Sequence, residues 1–308
     1  MGGAAVIEHM DGRSMKTFVT VMEEKSISKA ALRLGYVQST VTMHIHQLEQ
    51  LLGKSLFRRL PRGVELTEAG KEVAPYAYRF LRLGESLQAK LTGLDEPKGP
   101  VRLRALESFC VSQLPKLLPT LFQQYPQIQL HLETGFQRDI TQEVAGHRVD
   151  LGIVPRNPQM KNIEFVALLQ DELVWIGTPE LVHNIESKGW HACEQTPIIG
   201  FGGRCIYQTM AGQLLSEKGI SNVQSLEFDS SEIIKQTVIC GMGIALLPLT
   251  TVDAEIREGR LARLTAEKPI PLEHGLIYVK GKELSAPVQA CKELLISFFD
   301  EELSRETG

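Results

Sequence analysis

The chain has 308 residues, 43% of them hydrophobic, with a formal net charge of −4. That length and apolar content predict two or three packed units and exclude a disordered chain. The longest apolar runs, as at 243–249, fall far short of the ~20 residues of a membrane helix. Residues 1–10, without a charged stretch leading into an apolar core, read as a tag or disordered start rather than a leader. Five cysteines at 110, 193, 205, 240 and 291 show neither Cys-x-x-Cys pairing nor zinc-like spacing. Scattered, odd-numbered thiols predict a reducing, cytoplasmic setting.

The charge is uneven. Residues 11–92 hold 13 Lys and Arg against 8 Asp and Glu, a balance of +5, so the remainder carries −9. A basic head on an acidic body is the footprint of a polyanion-binding N-terminus.

Within the head, Ser26 or Ser28 is placed to cap a short helix with Ala30, Ala31 and Leu34 facing inward, and Gly35 is placed to end it. A second helix from about Ser39 carries Val41, Ile45, Leu48 and Leu52 at i, i+4, i+7 and i+11. Its N-terminal half then presents Gln38, Ser39, Thr40, Thr42 and Met43, side chains suited to a DNA major groove. An αα-corner alone would fit any globular protein. Residues 54–66, however, read as two short strands about a turn at 61–63, with Arg58, Arg59 and Arg62 expected at the tip. A basic hairpin after such a helix is placed as a wing to touch phosphates or the minor groove.

These residues resemble the LysR-type transcriptional regulators. The resemblance rests on Phe18, Val21, Glu23 or Glu24, Ser26, Ser28, Ala30, Ala31 and Leu34, then Gln38, Ser39, Val41 and Thr42. It continues through Ile45, Leu48, Glu49, Leu52, Gly53, Leu56, Phe57, Leu66, Thr67, Ala69 and Gly70. It implies a DNA-binding domain over 11–66, in which Met43 and His46 also face DNA. Met43, His44 and His46 depart from the Gln, Arg or Lys common there.

Residues 67–92 read as a linker helix with Thr67 as N-cap and Val73, Ala77, Phe80, Leu81, Leu87 and Leu91 on one side. One helix cannot bury such a face alone, so pairing with a second subunit is expected. The Pro- and Gly-dense stretch 93–100 reads as a hinge. From 101 onward strands and helices alternate, which predicts parallel sheets with right-handed crossovers. The resemblance divides this part into lobe I, 101–173 with 274–304, and lobe II, 174–273, as in periplasmic-type binding proteins. The expected fold is therefore α/β, with an all-α winged helix-turn-helix head and a two-lobed effector domain.

Ligands of open α/β lobes collect at strand C-termini beside helix N-termini. The loops at Ser108 and Phe109, at Thr134, and at Phe201, Gly203, Arg204 and Cys205 fit that geometry. The resemblance implies that Ser108, Thr134 and the 201–204 loop line an effector cleft. Arg204 offers a fork for a carboxylate, or is simply a solvated loop residue. Cys205, at a helix N-terminus beside Arg204, has features that lower a thiol pKa, and Cys110 is placed after the first strand of the other lobe, where it could face Cys205 across the cleft; a thiol-based redox switch is the alternative reading. A small-molecule carrier without specific DNA binding is the rival of another class. No hydrolase, zinc-protease, Walker or dinucleotide motif is present, and His44 and His46 are at i, i+2, on different helix faces. The sequence thus predicts a non-enzymatic regulator needing no cofactor or metal. Its expected partners are a palindromic promoter in double-stranded DNA, a small anionic effector and further copies of itself as dimer or tetramer, with RNA polymerase a further candidate.

Overall fold

A computed structural model describes residues 9–91, 97–193, 196–220, 224–265 and 267–306. The chain divides near residue 95 into two compact units.

The N-terminal unit begins with α1 (Gly12–Glu24), α2 (Ile27–Leu34) and α3 (Gln38–Leu52). The Asp11 carboxylate accepts from the Arg13 and Ser14 amides, and the Ser26 hydroxyl accepts from the Lys29 amide; each fills donors that a helix start leaves open. Gly35 ends α2 at φ 69°, in the left-handed region where a side chain would be strained. Phe18, Val21, Ala30, Val41, Leu48 and Leu56 are buried together, with Leu34 and Leu52 partly buried against them.

The hairpin β1 (Phe57–Leu60) and β2 (Gly63–Leu66) pairs Phe57 with Leu66 through to Leu60 with Gly63. Arg58 and Arg59 therefore lie along the first strand, and only Arg62 is in the turn, a correction to the expected cluster at the tip. Helix α4 (Glu68–Leu91) follows, capped by Thr67, whose hydroxyl donates to the Ser55 carbonyl and accepts from the Gly70 amide. A Cβ at Gly70 would stand 2.2 Å from the Leu56 carbonyl oxygen, so only glycine lets α4 approach so closely. Ala77 and Tyr78 are buried in the head core and Leu81 packs against it. The helix therefore starts as part of the head, and Leu81 is not on the free face expected for it.

The second unit is built from β3 (Gly99–Ala105), α5 (Glu107–Ser112), α6 (Leu114–Gln124), β4 (Ile128–Thr134), α7 (Gln137–Ala145) and β5 (Leu151–Val154). Next come β6 (Ile163–Gly177), α8 (Pro179–Lys188), β7 (Ile198–Gly200), α9 (Ile206–Glu217), β8 (Ser225–Glu227) and α10 (Ser231–Ile239). β9 (Ala245–Pro248), α11 (Leu249–Arg257), β10 (Ala262–Arg263), β11 (Ile270–Val279) and α12 (Ala286–Glu306) complete it.

Strands β3, β4 and β5 are parallel, as expected, and so are β7 and β8. The all-parallel expectation fails for the long strands, because β6 and β11 run antiparallel to each other. β11 also pairs with β5, while β6 pairs with β9 and β10, so the two strands carry one sheet through both lobes. Their register slips between His274 and Gly275. The helical segment after β3 is two helices, broken at Gln113, since Pro115 has no amide to continue a preceding turn. Phe122 on α6 is exposed. Of the expected hinge, residues 93–96 lie outside the described residues, and Gly99 and Pro100 already belong to β3.

Candidate nucleic-acid interface and effector cleft

Helix α3 buries Val41, Ile45 and Leu48, which turns Gln38, Ser39, Met43 and His46 outward, with Thr40 and Thr42 partly exposed. The Ser28 hydroxyl donates to the Gln38 side-chain oxygen at 3.2 Å, and the Thr42 hydroxyl donates to the Gln38 carbonyl at 3.0 Å. Thr42 thus keeps an oxygen lone pair and a methyl group for a partner. His46 meets Gln50 at 3.0 Å on the exposed face. His44 points the other way, 9% exposed, with Nδ1 3.0 Å from the Thr17 hydroxyl and its ring edge-on to Tyr36. The two histidines are on different faces, as their spacing requires.

Glu49 sets the wing: one carboxylate oxygen accepts from the Leu56 amide at 2.7 Å and the Phe57 amide at 3.3 Å. Arg58 is ion-paired with Glu65 across the hairpin. Arg59 and Arg62 are exposed and have no acidic partner among the described residues. The hairpin that follows α3 therefore carries two exposed cations without an acidic partner among the described residues.

In the second unit, loops from both lobes meet. Arg204, largely exposed, lies 3.8 Å from the Asp139 carboxylate, and its guanidinium stands 5.1 Å from the centre of the Phe136 ring. The Glu107 carboxylate accepts from the Ser230 hydroxyl at 3.1 Å and the Ser231 amide at 2.9 Å. Ser108 is 2% exposed, and its hydroxyl interacts with that of Tyr207, a ring fully buried among Cys205 and Asp171. Neither hydroxyl reaches hydrogen-bond geometry with a partner among the described residues. Burial pushes the Tyr207 phenol well above its ordinary pKa, so it stays a neutral donor.

Other expected cleft residues have different surroundings. Thr134 is exposed at the end of β4, and its carbonyl accepts from Arg104 Nε at 3.0 Å. Arg104 also pairs with Glu143, which pins the loop after β4. Phe201 is buried, whereas Gly203 is exposed with open space where a side chain would be. Phe109 is a core residue, its ring against His274 and Phe299, and this corrects its placement as a cleft wall.

Cys205 also differs from expectation. It stands at the N-cap position of α9 without a side-chain capping hydrogen bond, and the Gln208 and Tyr207 amides act to lower its pKa, but burial is the larger influence and the net shift is upward. The Arg204 charge is directed at Asp139 and Phe136. Burial, with the nearby Glu107 charge, pushes Cys110 up to about 12. Both are protonated thiols at neutral pH, the opposite of a poised sensor. The Cys193 side chain lies outside the described residues.

Sequence reasoning missed Glu107, Tyr207, Ser230, Ser231, Asp171 and His274. Asp171 is buried on β6, accepts from the Thr250 hydroxyl at 2.7 Å and from its amide at 3.3 Å, and lies 3.7 Å from His274 Nε2. A polar residue within β6 was the available signal; Glu107, Ser230 and Ser231 sit at helix starts, where a serine or acid is ordinary, and Tyr207 and His274 carry no local mark in the sequence. No described helix is long and apolar enough to cross a membrane.

Known proteins give the same arrangement. The model of the LysR substrate binding domain matches residues 94–300, and that of the bacterial regulatory helix-turn-helix protein, lysR family, matches residues 13–71. The chain is 34% identical to the HTH-type transcriptional regulator YofA of Bacillus subtilis strain 168 over 244 residues, 79% of this chain and 83% of the relative. Its fold is shared with full-length LysG of Corynebacterium glutamicum with bound effector Arg, at TM-score 0.68 and 19% identity, over 95% of this chain and 99% of the other. It is shared also with full-length CbnR complexed with its target DNA, at TM-score 0.60 and 21% identity, over 94% and 100% of the two chains. The chain belongs to the LysR family of transcriptional regulators, with a helix-turn-helix head and a two-lobed effector-binding domain.

Proposed function

We propose that this regulator reads an inverted-repeat site in double-stranded DNA as a homo-oligomer, and that a small anionic effector between its lobes sets that binding. The observation that carries the DNA reading is α3, whose exposed N-terminal half offers Gln38, Ser39, Thr40 and Thr42 next to the uncompensated Arg59 and Arg62. Hydrogen-bonding side chains on a groove-sized helix specify bases, whereas cations on a flanking hairpin hold phosphates. The solved LysG contains an effector and the solved CbnR contains DNA, which supports both halves of the reading.

For oligomer formation, α4 exposes Tyr76, Phe80, Leu83, Leu87 and Leu91. Their spacing of four, three, four and four follows one helix face, the repeat of a coiled-coil seam. This stripe replaces the one read from the sequence through Leu81. An isologous dimer joined there places two heads on a palindrome.

An anionic effector is supported by the chemistry of the cleft. Arg204 is the exposed cation of the 201–205 loop, and the start of α10 already holds a carboxylate. Helix starts attract anions through their free amides and dipole.

Electrophoretic shift with DNA from upstream of the protein's own gene, with and without candidate carboxylates, tests the whole reading. Thr42→Ala should cost roughly 1–3 kcal/mol on the bound site and little on random DNA. Equal losses on both would remove Thr42 from the reading face. Absence of any site-preferring complex would refute the proposal.

A further inference from the structure

Two helices of the effector domain begin without a side-chain cap of their own and take a carboxylate from elsewhere in the chain. Helix α11 follows Pro248, and the buried Asp171 accepts from Thr250 in its first turn. Helix α10 follows Ser230, a residue well able to cap it. Yet the Ser230 hydroxyl donates to Glu107 instead, and the other oxygen of the same carboxylate accepts from the Ser231 amide. Ordinary capping occurs nearby, where Thr178 accepts from the Leu181 amide at the start of α8.

The two borrowed carboxylates differ in one respect. The Asp171 side chain is 1% exposed, whereas Glu107 is only half-buried. Asp171 is a sealed structural pin; Glu107 can be reached by solvent and displaced. Glu107 is the first residue of α5, after β3 in the first lobe, and Ser230 and Ser231 belong to the second, so the contact ties the lobes. The residue after Glu107 and the first residue of α10, Ser108 and Ser231, are buried; the Ser108 hydroxyl faces that of Tyr207, whereas the Ser231 hydroxyl has no hydrogen-bond partner among the described residues. Buried hydroxyls without a partner are uncommon in folded proteins. The Ser231 hydroxyl is a donor left over for an acceptor that this arrangement does not supply. The only other acid in the first turn of α10, Glu232, is turned to Lys235 and Gln236.

We propose that Glu107 is an interlobe latch: its carboxylate occupies an anion site at the start of α10, and a small carboxylate or oxyanion opens the latch by taking that place, with the hydroxyl of Ser231 as an additional donor. An effector that competes with an internal carboxylate binds the unlatched arrangement selectively, which is the condition for shifting a population. The inference rests on the reading of the interlobe cleft as the sensing site.

The test is amide hydrogen exchange on the full chain, read by mass spectrometry, with sodium sulfate as the probe anion and sodium chloride at equal ionic strength as control. In Glu107→Ala the first turn of α10 should exchange roughly tenfold faster, the loss of one charge-assisted hydrogen bond. Sulfate should restore its protection and leave the wild type unchanged. Sulfate also strengthens burial generally, so the start of α8, capped by Thr178, serves as the internal reference. Glu107→Gln keeps an acceptor without the charge and should give the intermediate result; it decides the matter if the alanine variant unfolds. Unchanged exchange in both variants would overturn the latch. So would sulfate protection that is equal in variant and wild type, or equal at α8 and α10. No DNA or effector enters the experiment, so a positive result stands even if the effector is later found elsewhere.

Discussion

Removing the wing arginines gives a quantitative test of how the head holds DNA. Each phosphate contact made by a cation releases condensed counterions, so it contributes about 0.9 to the slope of log affinity against log salt. Arg59 and Arg62 are exposed and without acidic partners among the described residues, so each is expected to contribute a full contact. Arg58 is held by Glu65 on the opposite strand and should contribute much less. In Arg59→Ala, Arg62→Ala the slope should flatten by about 1.8, so the fall in affinity between 50 and 200 mM salt shrinks by roughly twelvefold. Arg58→Ala alone should change the slope little. Glu65→Gln, which frees Arg58, should steepen it by up to about 0.9. Fluorescence anisotropy over a salt series, on both operator and random DNA, measures all four. Because phosphates carry no sequence information, the losses should be the same on both DNAs. A slope that stays put in the double variant, or a loss confined to the operator, would refute the wing assignment.

Charged replacements on α4 probe the seam: Leu83→Asp with Leu87→Asp should dissociate the oligomer, because each buries an unpaired charge at the contact. Unchanged mass in sedimentation would mean that the chains meet elsewhere, while Leu81→Asp should instead lower the melting temperature of the head, where Leu81 packs. Between α10 and α11, Lys235 and Glu255 form a buried ion pair at 2.8 Å. Lys235→Met should cost about 3–5 kcal/mol in denaturant unfolding, since Glu255 is left buried, and a loss under 1 kcal/mol would show that Arg260 compensates. Desolvation pulls the Lys235 pKa down, but hydrogen bonds to Glu232 and Glu255 outweigh it and hold it above the ordinary value. The stabilisation it supplies is therefore complete through neutral pH and fades in alkali, as pH rises through the raised folded pKa. Alkylation at pH 8 should label the exposed Cys240 well before Cys205, whose burial suppresses the thiolate; earlier loss of the Cys205 thiol, or its oxidation first by peroxide, would restore the redox reading.

Much of the head was legible from sequence because its signals are local. Ser26, Gly35, Val41, Ile45 and Leu48 act through capping, backbone sign and a 3.6-residue period, all set within a few neighbours. The order of strands and helices in the effector domain was legible for the same reason. What the tertiary structure decided were pairings between distant segments. Antiparallel pairing of β6 with β11 lies in the hydrogen bonds of residues a hundred positions apart, and an apolar run buried on both faces gives no sign of its partner's direction. The face of α4 follows from Ala77, Tyr78 and Leu81 packing on the head, which moves the free stripe to Leu83 and Leu87. The Cys205 pKa was misread because the helix start is a sequence feature while burial is not, and burial has the greater effect. Glu107 marks the same divide: its identity is written in the chain, but its partner lies 124 residues away, and only folding brings the two lobes to one carboxylate.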